Sequence, residues 1–470
     1  MIPQHPILMR TILLLSVLAA CGIVSAAERP NIVFFLADDL GVMDVACNNR
    51  ETFYETPNIS RLAASGVNFT AGYAACNVCS PTRASIMTGK YPARTGIDNF
   101  IGGKNTGRLL PPPNADHLAL EETTLAEALA EGGYTNFFAG KWHLGNAGFS
   151  PREQGFSRDL IGASQFFYPP GPGTDPATDP KTTDRIADAA VRFIGANKDK
   201  PFFAYLPFQA VHIPIGARPD LIAKYRTKAG RDNPVKWGRE QANKVRQTQN
   251  HPAYAAMIEQ MDLAIGRVLD ALETNGLTGK TIVIFTSDNG GLATAEGHPT
   301  SNMPYRAGKG WNYEGGIRVP WIIRAPGVAK AGGSCATPVV SADFYPTLLD
   351  LAGLPARPEQ HKDGKSLVPL LKGESTERGP LFWHYPHYSN QGGSPCGAMR
   401  DGDWKLIENF GDNSLELYNL SNDPSEHNNL AEKDPGRAKA MLASLRKWRE
   451  SVHARMPVPN PDFKPATGKP

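Results

Sequence analysis

The amino-acid sequence predicts an α/β fold built on a large, mostly parallel β-sheet with helices on both faces. Three observations predict it: short apolar runs suited to buried strands, a turn after each run, and a helical pattern after each turn. Strands that alternate with helices are typical of a sheet sandwiched between helical layers. The runs are NIVFFLA at Asn31–Ala37, TNFFAG at Thr135–Gly140, PFFAYLPF at Pro201–Phe208 and TIVIFTS at Thr281–Ser287.

Helical patterns predict the layers that cover this sheet. The clearest helix is Tyr254–Asn275, because apolar residues recur there at helical spacing and Gly276 is placed to end it. We assign its apolar residues to the core, namely Met257, Met261, Ile265, Val268 and Leu272. The other predicted helices are Asn58–Gly66, Ser80–Lys90, Thr124–Gly132 and Thr182–Ala196. Two Pro- and Gly-rich stretches, Tyr168–Pro180 and Gly290–Gly316, are predicted to be long loops that form the walls of a site.

The first 27 residues have the features of an export signal, namely one basic residue, Arg10, an apolar run and then small residues. The run is shorter than the roughly 20 residues that span a bilayer, and no later segment comes close. We therefore expect a soluble, exported protein, periplasmic or secreted. Leu18–Cys21 is also similar to a lipoprotein cleavage box, and a lipid on Cys21 is the alternative to free export.

The chain is long enough for a large domain and a smaller one. We place the large domain at residues 28–375 and the small one at 376–470. Shorter alternating segments, Trp404–Ile407 and Leu415–Leu420, and a charged helix from about Pro435 to Arg455 predict a small antiparallel sheet with one helix. The net charge of +3 without a long Lys/Arg tract argues against a nucleic-acid partner.

Polar residues follow each predicted strand at the point where ligands bind in open α/β sheets. NIVFFLA is followed by Asp38 and Asp39, and TIVIFTS by Asp288 and Asn289. Taken singly, such residues are common as helix caps or turns. Three carboxylates and an amide carbonyl that converge would repel one another without a cation, and an all-oxygen set favours a hard ion. Calcium is the first choice, with magnesium as the alternative.

The remaining strand ends carry basic and imidazole groups. TNFFAG is followed by Lys141, Trp142 and His143, and PFFAYLPF by Gln209 through His212. Cys76 and Cys79 stand three positions apart, but a zinc site would need a second pair of ligands and a thioredoxin-like pair a different context.

The segment from Cys79 to Arg83, CSPTR, leading into Ala84–Lys90, resembles the signature of the sulfatase family. Gly140–Gly145, GKWHLG, is similar to the second signature of that family. The resemblance extends from about Arg29 to Leu430 and is carried further by other blocks in the family's order, namely Asp38-Asp39, His212, Asp288-Asn289-Gly290, Gly308-Lys309-Gly310, Leu417–Leu420 and Asp423–Glu426.

This resemblance implies an alkaline-phosphatase-like fold and a modified cysteine. In the family, a formylglycine-generating enzyme oxidises the residue at the position of Cys79 to an aldehyde, which takes up water as a geminal diol. One hydroxyl attacks sulfur, and sulfate leaves by C–O cleavage as the aldehyde reforms. A plain serine would be left holding a stable sulfate ester.

The resemblance also implies the metal ligands. Asp38, Asp39, Asp288 and Asn289 would bind the ion, and an oxygen of the modified Cys79 would complete its shell. With the basic residues of the site, the pocket would carry a net positive charge that attracts a sulfate monoester anion.

The catalytic roles are implied in the same way. Arg83 and Lys141 would hold the diol and the sulfate oxygens. His143 would deprotonate the second hydroxyl, and His212 with Lys309 would protonate the departing alcohol.

The expected substrate is a sulfated carbohydrate or an aryl sulfate ester, with galactose- or N-acetylgalactosamine-type sugars as the working choice. The same pocket would attract a phosphate or phosphonate ester, so a formylglycine-dependent diester hydrolase is the alternative. An exported sugar-binding protein whose Cys79 is never modified is a third reading, of a different class. An aryl sulfate tested against a phosphate diester separates the first two, and the mass of the peptide containing Cys79 addresses the third.

Several further residues are secondary candidates. Asp98–Phe100 would contact the leaving group or form a plain loop. A sugar platform could be formed by His298, Trp311, Tyr313 and Arg318, although Arg318 could equally pair with a carboxylate. His384 and His387 are candidate substrate contacts from the small domain, and Cys76 is predicted to be a small buried residue. Cys47, Cys76, Cys335 and Cys396 would remain for disulfides, in any of three pairings.

Overall fold

A computed structural model describes residues 29–159 and 177–464 of the chain. The predicted export signal, with its lipoprotein box at residues 18–21, lies outside the described residues, as does most of the predicted loop at 168–180. Within the described ranges, no helix combines the length and the apolar character that a bilayer crossing requires.

The secondary structure alternates strands and helices through the first two thirds of the chain. The described strands are β1 (Asn31–Ala37), β2 (Val67–Phe69), β3 (Gly72–Tyr73), β4 (Leu109–Leu110), β5 (Thr135–Phe138), β6 (Arg158–Asp159), β7 (Phe202–Pro207), β8 (Trp237–Glu240), β9 (Asn243–Arg246), β10 (Thr281–Ser287), β11 (Trp321–Arg324), β12 (Gly333–Cys335), β13 (Val339–Val340), β14 (Leu381–Tyr385), β15 (Cys396–Asp401), β16 (Trp404–Asn409), β17 (Leu415–Asn419) and β18 (Val458–Pro459). The described α-helices are α1 (Pro57–Ala64), α2 (Cys79–Thr88), α3 (Pro92–Thr95), α4 (Leu125–Glu131), α5 (Thr183–Ala196), α6 (Pro219–Ala229), α7 (Pro252–Thr274), α8 (Glu314–Ile317), α9 (Phe344–Leu351), α10 (Val368–Leu371) and α11 (Pro435–Ser451).

The large sheet has eight strands in the order β12-β2-β11-β10-β1-β7-β5-β6. Its centre is parallel, since β1 pairs in parallel with both β10 and β7, and β5 pairs in parallel with β7. The sheet becomes mixed on one side, where β11 runs antiparallel to β10 and to β2. The predicted fold class, a mostly parallel sheet between helical layers, is confirmed.

Alternate residues of β1 enter two different cores. Val33 and Phe35 pack into the cluster that includes α1, α5, α6 and α7, whereas Ile32 and Phe34 pack into the cluster that includes α2, α4, α9 and α10. All four side chains are fully buried. This explains why the strand is apolar throughout instead of alternating, as expected for a sheet covered on both faces.

The predicted strands and the longest helix agree closely with the structure. The bounds of β1 and β10 match the predicted runs, and the five predicted core residues of α7 are buried. Helix α7 begins earlier than predicted, because Pro252 takes the first helical position and the ring of His251 accepts a hydrogen bond from Tyr254 N at 3.2 Å. Gly276 follows the end of the helix with φ 68°, in the left-handed region that glycine tolerates.

A second, four-stranded antiparallel sheet is formed by β14-β15-β16-β17, and α11 packs on it. Two of its strands, β16 and β17, were predicted, while β14 and β15 were not. The domain boundary near residue 375 stays a prediction.

Three fully buried charged side chains join this small sheet to the large domain. Lys405 on β16 places Nζ 3.0 Å from Glu314 Oε1 and 2.8 Å from Glu426 Oε1, and none of the three side chains is exposed. Glu426 also accepts a hydrogen bond from Glu314 N at 2.6 Å. Burial raises the pKa of Glu426 to about 7, although the charge of Lys405 opposes this. Lys405 therefore helps to compensate both desolvated carboxylates, and Arg318 adds a second cation at Glu314.

Replacing this lysine should destabilise the fold. We expect Lys405→Met to lower the free energy of unfolding by about 3–5 kcal/mol, because it leaves the buried carboxylate of Glu426 without its cation and removes one of the cations at Glu314. Denaturant titration should show this, with Lys439→Met on the exposed face of α11 as the matched control. A loss of less than about 1 kcal/mol would contradict the role given to Lys405.

A second buried group should make stability depend on pH. His384 on β14 hydrogen-bonds through Nε2 to the carbonyl of Arg455 at 2.9 Å, so Nε2 carries the proton of the neutral ring. Burial lowers the pKa of His384 to about 4. Because folding favours the neutral imidazole, its contribution is complete above pH 6.5 and is lost as the pH falls towards 4.

We therefore expect the wild type to lose about 2 kcal/mol more unfolding free energy than His384→Gln between pH 7 and pH 4.5. Parallel denaturant titrations at the two pH values measure this difference. Equal losses in both proteins would show that His384 is not the titrating group.

Candidate active site

The polar residues that follow four neighbouring strands meet at one edge of the large sheet. Asp38 and Asp39 follow β1, and Asp288 follows β10, its parallel neighbour in register. Asp39 N donates a hydrogen bond to Asp288 Oδ1 at 3.1 Å, which fixes the two strand ends together. The carboxylates of Asp38, Asp39 and Asp288 are at most 2% exposed. The parallel register explains why residues 250 positions apart share one site.

Cys79 approaches these carboxylates from the first turn of α2. Its Sγ lies 3.6 Å from Asp38 Oδ1 and 4.0 Å from Asp39 Oδ1, and the residue is 2% exposed. Burial raises the pKa of the Cys79 thiol well above its usual range, against the opposing charges of Lys141 and Lys309. The unmodified residue is therefore a protonated thiol at neutral pH.

Arg83 lies one helical turn after Cys79 and connects three parts of the site. Its Nε and Nη2 donate to Asp288 Oδ2 at 2.9 and 2.6 Å, and Nη1 donates to the carbonyl of Lys141 at 2.8 Å. Nη2 also lies 3.5 Å from Asp38 Oδ2. The guanidinium is 1% exposed, so these contacts are made without competing water.

Lys141 is placed by the glycine that precedes it. Gly140 has φ 139°, and a Cβ on it would stand 1.9 Å from the carbonyl oxygen of Pro207. That close approach allows Lys141 N to donate to the same carbonyl at 2.8 Å. The side chain then reaches back so that Nζ donates to Asp38 Oδ2 at 2.6 Å.

A cluster of candidate metal ligands lies at this edge. One ligand atom each from Asp38, Asp39, Cys79 and His212 lies within 4.8 Å of the others. In the described part of the chain, Asn289 Oδ1 is buried without a hydrogen-bond partner, while Nδ2 donates to Asp39 Oδ1 at 2.8 Å. An orphaned amide oxygen beside carboxylates suits a hard divalent cation, so these residues fit such an ion.

The pKa values of the two inner carboxylates are shifted in opposite directions. Burial alone would raise the pKa of Asp38, but nearby positive charges, above all that of Lys141, hold it well below its usual range. Burial raises the pKa of Asp288 to about 6, and the negative charge of Asp38 adds to this effect. On the outer side, Lys309 Nζ donates to Asp39 Oδ2 at 2.8 Å.

The two histidines present different nitrogens to the site. His143 Nε2 lies 3.3 Å from the carbonyl of Ile101 and His212 Nδ1 lies 2.6 Å from that of Ile213, and a carbonyl can only accept. The neutral rings therefore carry their protons on those atoms. Burial lowers the pKa of His143 well below its usual value and that of His212 to about 4. His212 Nε2 lies 3.7 Å from Asp39 Oδ2.

A cavity of about 110 Å³ opens onto Cys79. His143, His212 and Lys309, which the sequence analysis selected, line it together with Phe100. The remaining lining residues are Glu296, Asn390 and Gln391, which the sequence analysis missed. They lie in loops without periodicity, and only the Gly-rich character of residues 290–316 signalled a wall there.

Asp44 was also missed, although it supports the loop that carries Asp38 and Asp39. It accepts hydrogen bonds from Gly41 N, Tyr254 Oη, Thr300 Oγ1 and Gln249 Nε2 at 2.7–3.0 Å. The residue is fully buried. A single acid after a strand carries no sequence signal for such a role.

The secondary candidates divide between the pocket and the interior. The idea that Trp311 and Tyr313 form a sugar platform is wrong, because both are buried in the core of the small sheet. Arg318 instead reaches Glu314 Oε2 at 3.3 Å and the carbonyl of Thr70 at 2.9 Å. His298 is partly exposed and packs edge to face with the ring of Trp237.

The other secondary candidates are held by neighbouring side chains or backbone. Asp98 Oδ1 accepts from His387 Nε2 at 2.7 Å, and His384 bonds to a backbone carbonyl. Cys76 is buried, as predicted, and the five described cysteines are unpaired in the structure.

The chain matches the profiles of two known protein families. The profile of the family described as Sulfatase matches residues 30–354, and the profile described as N-sulphoglucosamine sulphohydrolase, C-terminal, matches residues 307–452. These two matches together cover nearly the whole described chain.

Individual relatives are similar over most of their length. A sulfatase of Formosa agariphila is 34% identical over 90% of this chain and 89% of its own, and the N-acetylgalactosamine-6-sulfatase of Mus musculus is 31% identical over 79% and 72%. Among solved structures, Ps i-CgsB in complex with k-i-k-neocarrahexaose superposes with a TM-score of 0.75 at 27% identity, covering 94% of this chain and 96% of that one.

Proposed function

The chain belongs to the sulfatase family and is a sulfuric ester hydrolase, and from this premise we propose that it cleaves a sulfate ester of a carbohydrate with a formylglycine made from Cys79. The observation that carries the proposal is the buried contact of Cys79 Sγ with the carboxylates of Asp38 and Asp39, at the base of the cavity.

We propose that Asp38, Asp39, Asp288 and Asn289 hold a divalent cation, calcium in the first instance, together with residue 79. When bound, the cation and the formylglycine hydrate supply the positive charge and the nucleophilic oxygen that attack on a sulfate ester requires. The orphaned Asn289 oxygen and the oxygen-rich donor set support calcium over a softer metal.

Arg83 and Lys141 act as fixed positive charges in this proposal. Both are buried and both are held by carboxylates, so they need no reorganisation when sulfate oxygens arrive. Helix α2 places Arg83, and the backbone contact that Gly140 permits places Lys141. Both positive charges are thereby kept close to residue 79.

His143 and Lys309, to which we assign the proton transfers, have protonation states that suit a base and an acid respectively. Burial and the charges of Lys141 and Arg83 keep His143 neutral, which suits the base that takes a proton from residue 79. Burial alone would lower the pKa of Lys309, but the charge of Asp39 outweighs it and raises that pKa, so Lys309 holds a proton for the departing alcohol. Neutral His212 has its proton on Nδ1, and its Nε2, which faces Asp39, has none to give to the departing alcohol. We therefore assign proton donation to Lys309 and give His212 the role of orienting this region, in place of the acid role expected from the sequence.

The proposal also covers the class of natural substrate and the export of the protein. One relative named for an amino sugar and one solved with k-i-k-neocarrahexaose support a carbohydrate substrate, with galactose- or N-acetylgalactosamine-type sugars first. The apolar run at the start of the sequence supports export, with maturation of Cys79 by a formylglycine-generating enzyme.

The nucleophile can be tested by substitution. We expect matured wild-type protein to cleave an aryl sulfate faster than the corresponding phosphate diester, and the peptide containing residue 79 to have lost its sulfur. Cys79→Ser should perform at most one turnover and retain sulfate on residue 79, since a serine ester cannot expel it by reforming a carbonyl. Cys335→Ser is the matched control, expected to keep full activity.

The outcomes distinguish the three functions considered. A faster phosphate diester reaction would favour the diester hydrolase, and full activity with an intact thiol would overturn the formylglycine proposal. A protein that binds sulfated sugars without cleaving them would be a binding protein.

The metal site can be tested through stability. We expect calcium to raise the melting temperature of the wild type, since a ligand at about 100 times its Kd stabilises the folded state by about 2.7 kcal/mol. Asp39→Asn should reduce this calcium-dependent shift strongly, because it removes a charged ligand. Exposed Asp199→Asn is the control. An equal calcium shift in Asp39→Asn and in the wild type would place the ion elsewhere.

A further inference from the structure

The cavity over Cys79 has walls of opposite character. Lys309 and His212 line one part of it, and Lys309 carries a positive charge towards the site. Glu296 lines another part. A carboxylate beside a cavity repels an anionic ester that binds there. Glu296 must therefore offset this repulsion by a favourable contact with another part of the substrate.

The Glu296 side chain is held in place by a buried residue. Gln391 Nε2 donates to Glu296 Oε2 at 2.9 Å, and Gln391 is only 3% exposed. Gln391 is fixed in turn, because its carbonyl accepts from Trp311 Nε1 at 2.9 Å and its N–H donates to Ser389 Oγ at 3.2 Å. Glu296 itself is exposed, and this hydrogen bond from a buried partner fixes one of its carboxylate oxygens.

The group that Glu296 presents is an acceptor. A carboxylate offers about four lone-pair sites, and Gln391 occupies one of them. Glu296 thus offers acceptor oxygens on the cavity wall, and these suit a ligand that donates.

A third chain segment contributes to this corner of the cavity. Asn390, which also lines the cavity, accepts through Oδ1 from Asn105 Nδ2 at 2.5 Å. The corner is thus built from three chain segments, around residues 105, 296 and 390.

We propose that Glu296, positioned by Gln391, determines specificity by accepting a hydrogen bond from an uncharged hydroxyl next to the sulfated carbon and by repelling a second anionic group there. This inference rests on the proposed sulfatase function and deepens it. The preferred substrate is thus a sugar unit with one sulfate and a free neighbouring hydroxyl, and vicinal disulfates or adjacent carboxylates are rejected.

The test uses two chromogenic aryl sulfates that are identical except for one ortho substituent, a hydroxymethyl group or a carboxylate. For each protein, kcat/KM on the carboxylate probe is divided by kcat/KM on the hydroxymethyl probe, so that intrinsic reactivities cancel between proteins. We expect Glu296→Gln to raise this ratio about tenfold over the wild type, since it removes like-charge repulsion. Glu296→Lys should raise it further. Glu359→Gln, at an exposed site, should leave it unchanged.

Two results would overturn the proposal. An unchanged ratio in Glu296→Gln and Glu296→Lys would show that the carboxylate does not sense the neighbouring group. An equal effect of Glu359→Gln would show a general change in net charge. If the wild type cleaves neither probe, the proposed function fails, and calorimetric binding of the two probes to the same four proteins tests the discrimination separately. Thermal unfolding of each variant checks that it is folded.

Discussion

The site depends on charge neutralisation at one edge of a parallel sheet. Removing a carboxylate from water costs several kcal/mol per ion unless it is paired, and the edge holds three such groups. Asp38 contacts Lys141, Asp39 contacts Lys309, and Asp288 contacts Arg83. The basic residues are therefore as necessary to the fold of this edge as they are to the chemistry proposed for it.

These cations come from distant parts of the chain. Arg83 is 205 residues from its partner Asp288, and Lys309 is 270 residues from Asp39. Such pairs form only when the sheet, the helix that carries Arg83 and the loop that carries Lys309 are all in place. The integrity of the cluster is thus a property of the whole domain, and local substitutions elsewhere in the sheet can weaken it without contacting it.

The sequence predicted the structure correctly where the hydrophobic periodicity and the order of strands determine where a residue lies. Strands β1 and β10 were predicted to the residue, and parallel pairing then required Asp38 and Asp288 to meet. The prediction failed in loops, where the direction of each side chain decides whether it faces the cavity or the interior. Trp311 resembles an exposed platform in a Gly-rich loop, yet its Nε1 bonds to a backbone carbonyl in the interior. Glu296 had no pattern to select it, because its role follows from a contact with residue 391, which lies 95 positions away.

The environment of Cys79 also constrains which nucleophile can act there. A thiolate at this buried position would add a further negative charge beside Asp38 and Asp39, and burial accordingly raises the pKa of the thiol. The same surroundings tolerate a neutral hydroxyl, which adds no charge until it loses its proton during reaction. A histidine kept neutral by burial and by Lys141 is suited to take that proton. The electrostatics that allow the carboxylates to be buried therefore disfavour the thiolate of the unmodified cysteine, which agrees with the proposal that an oxygen attacks in its place.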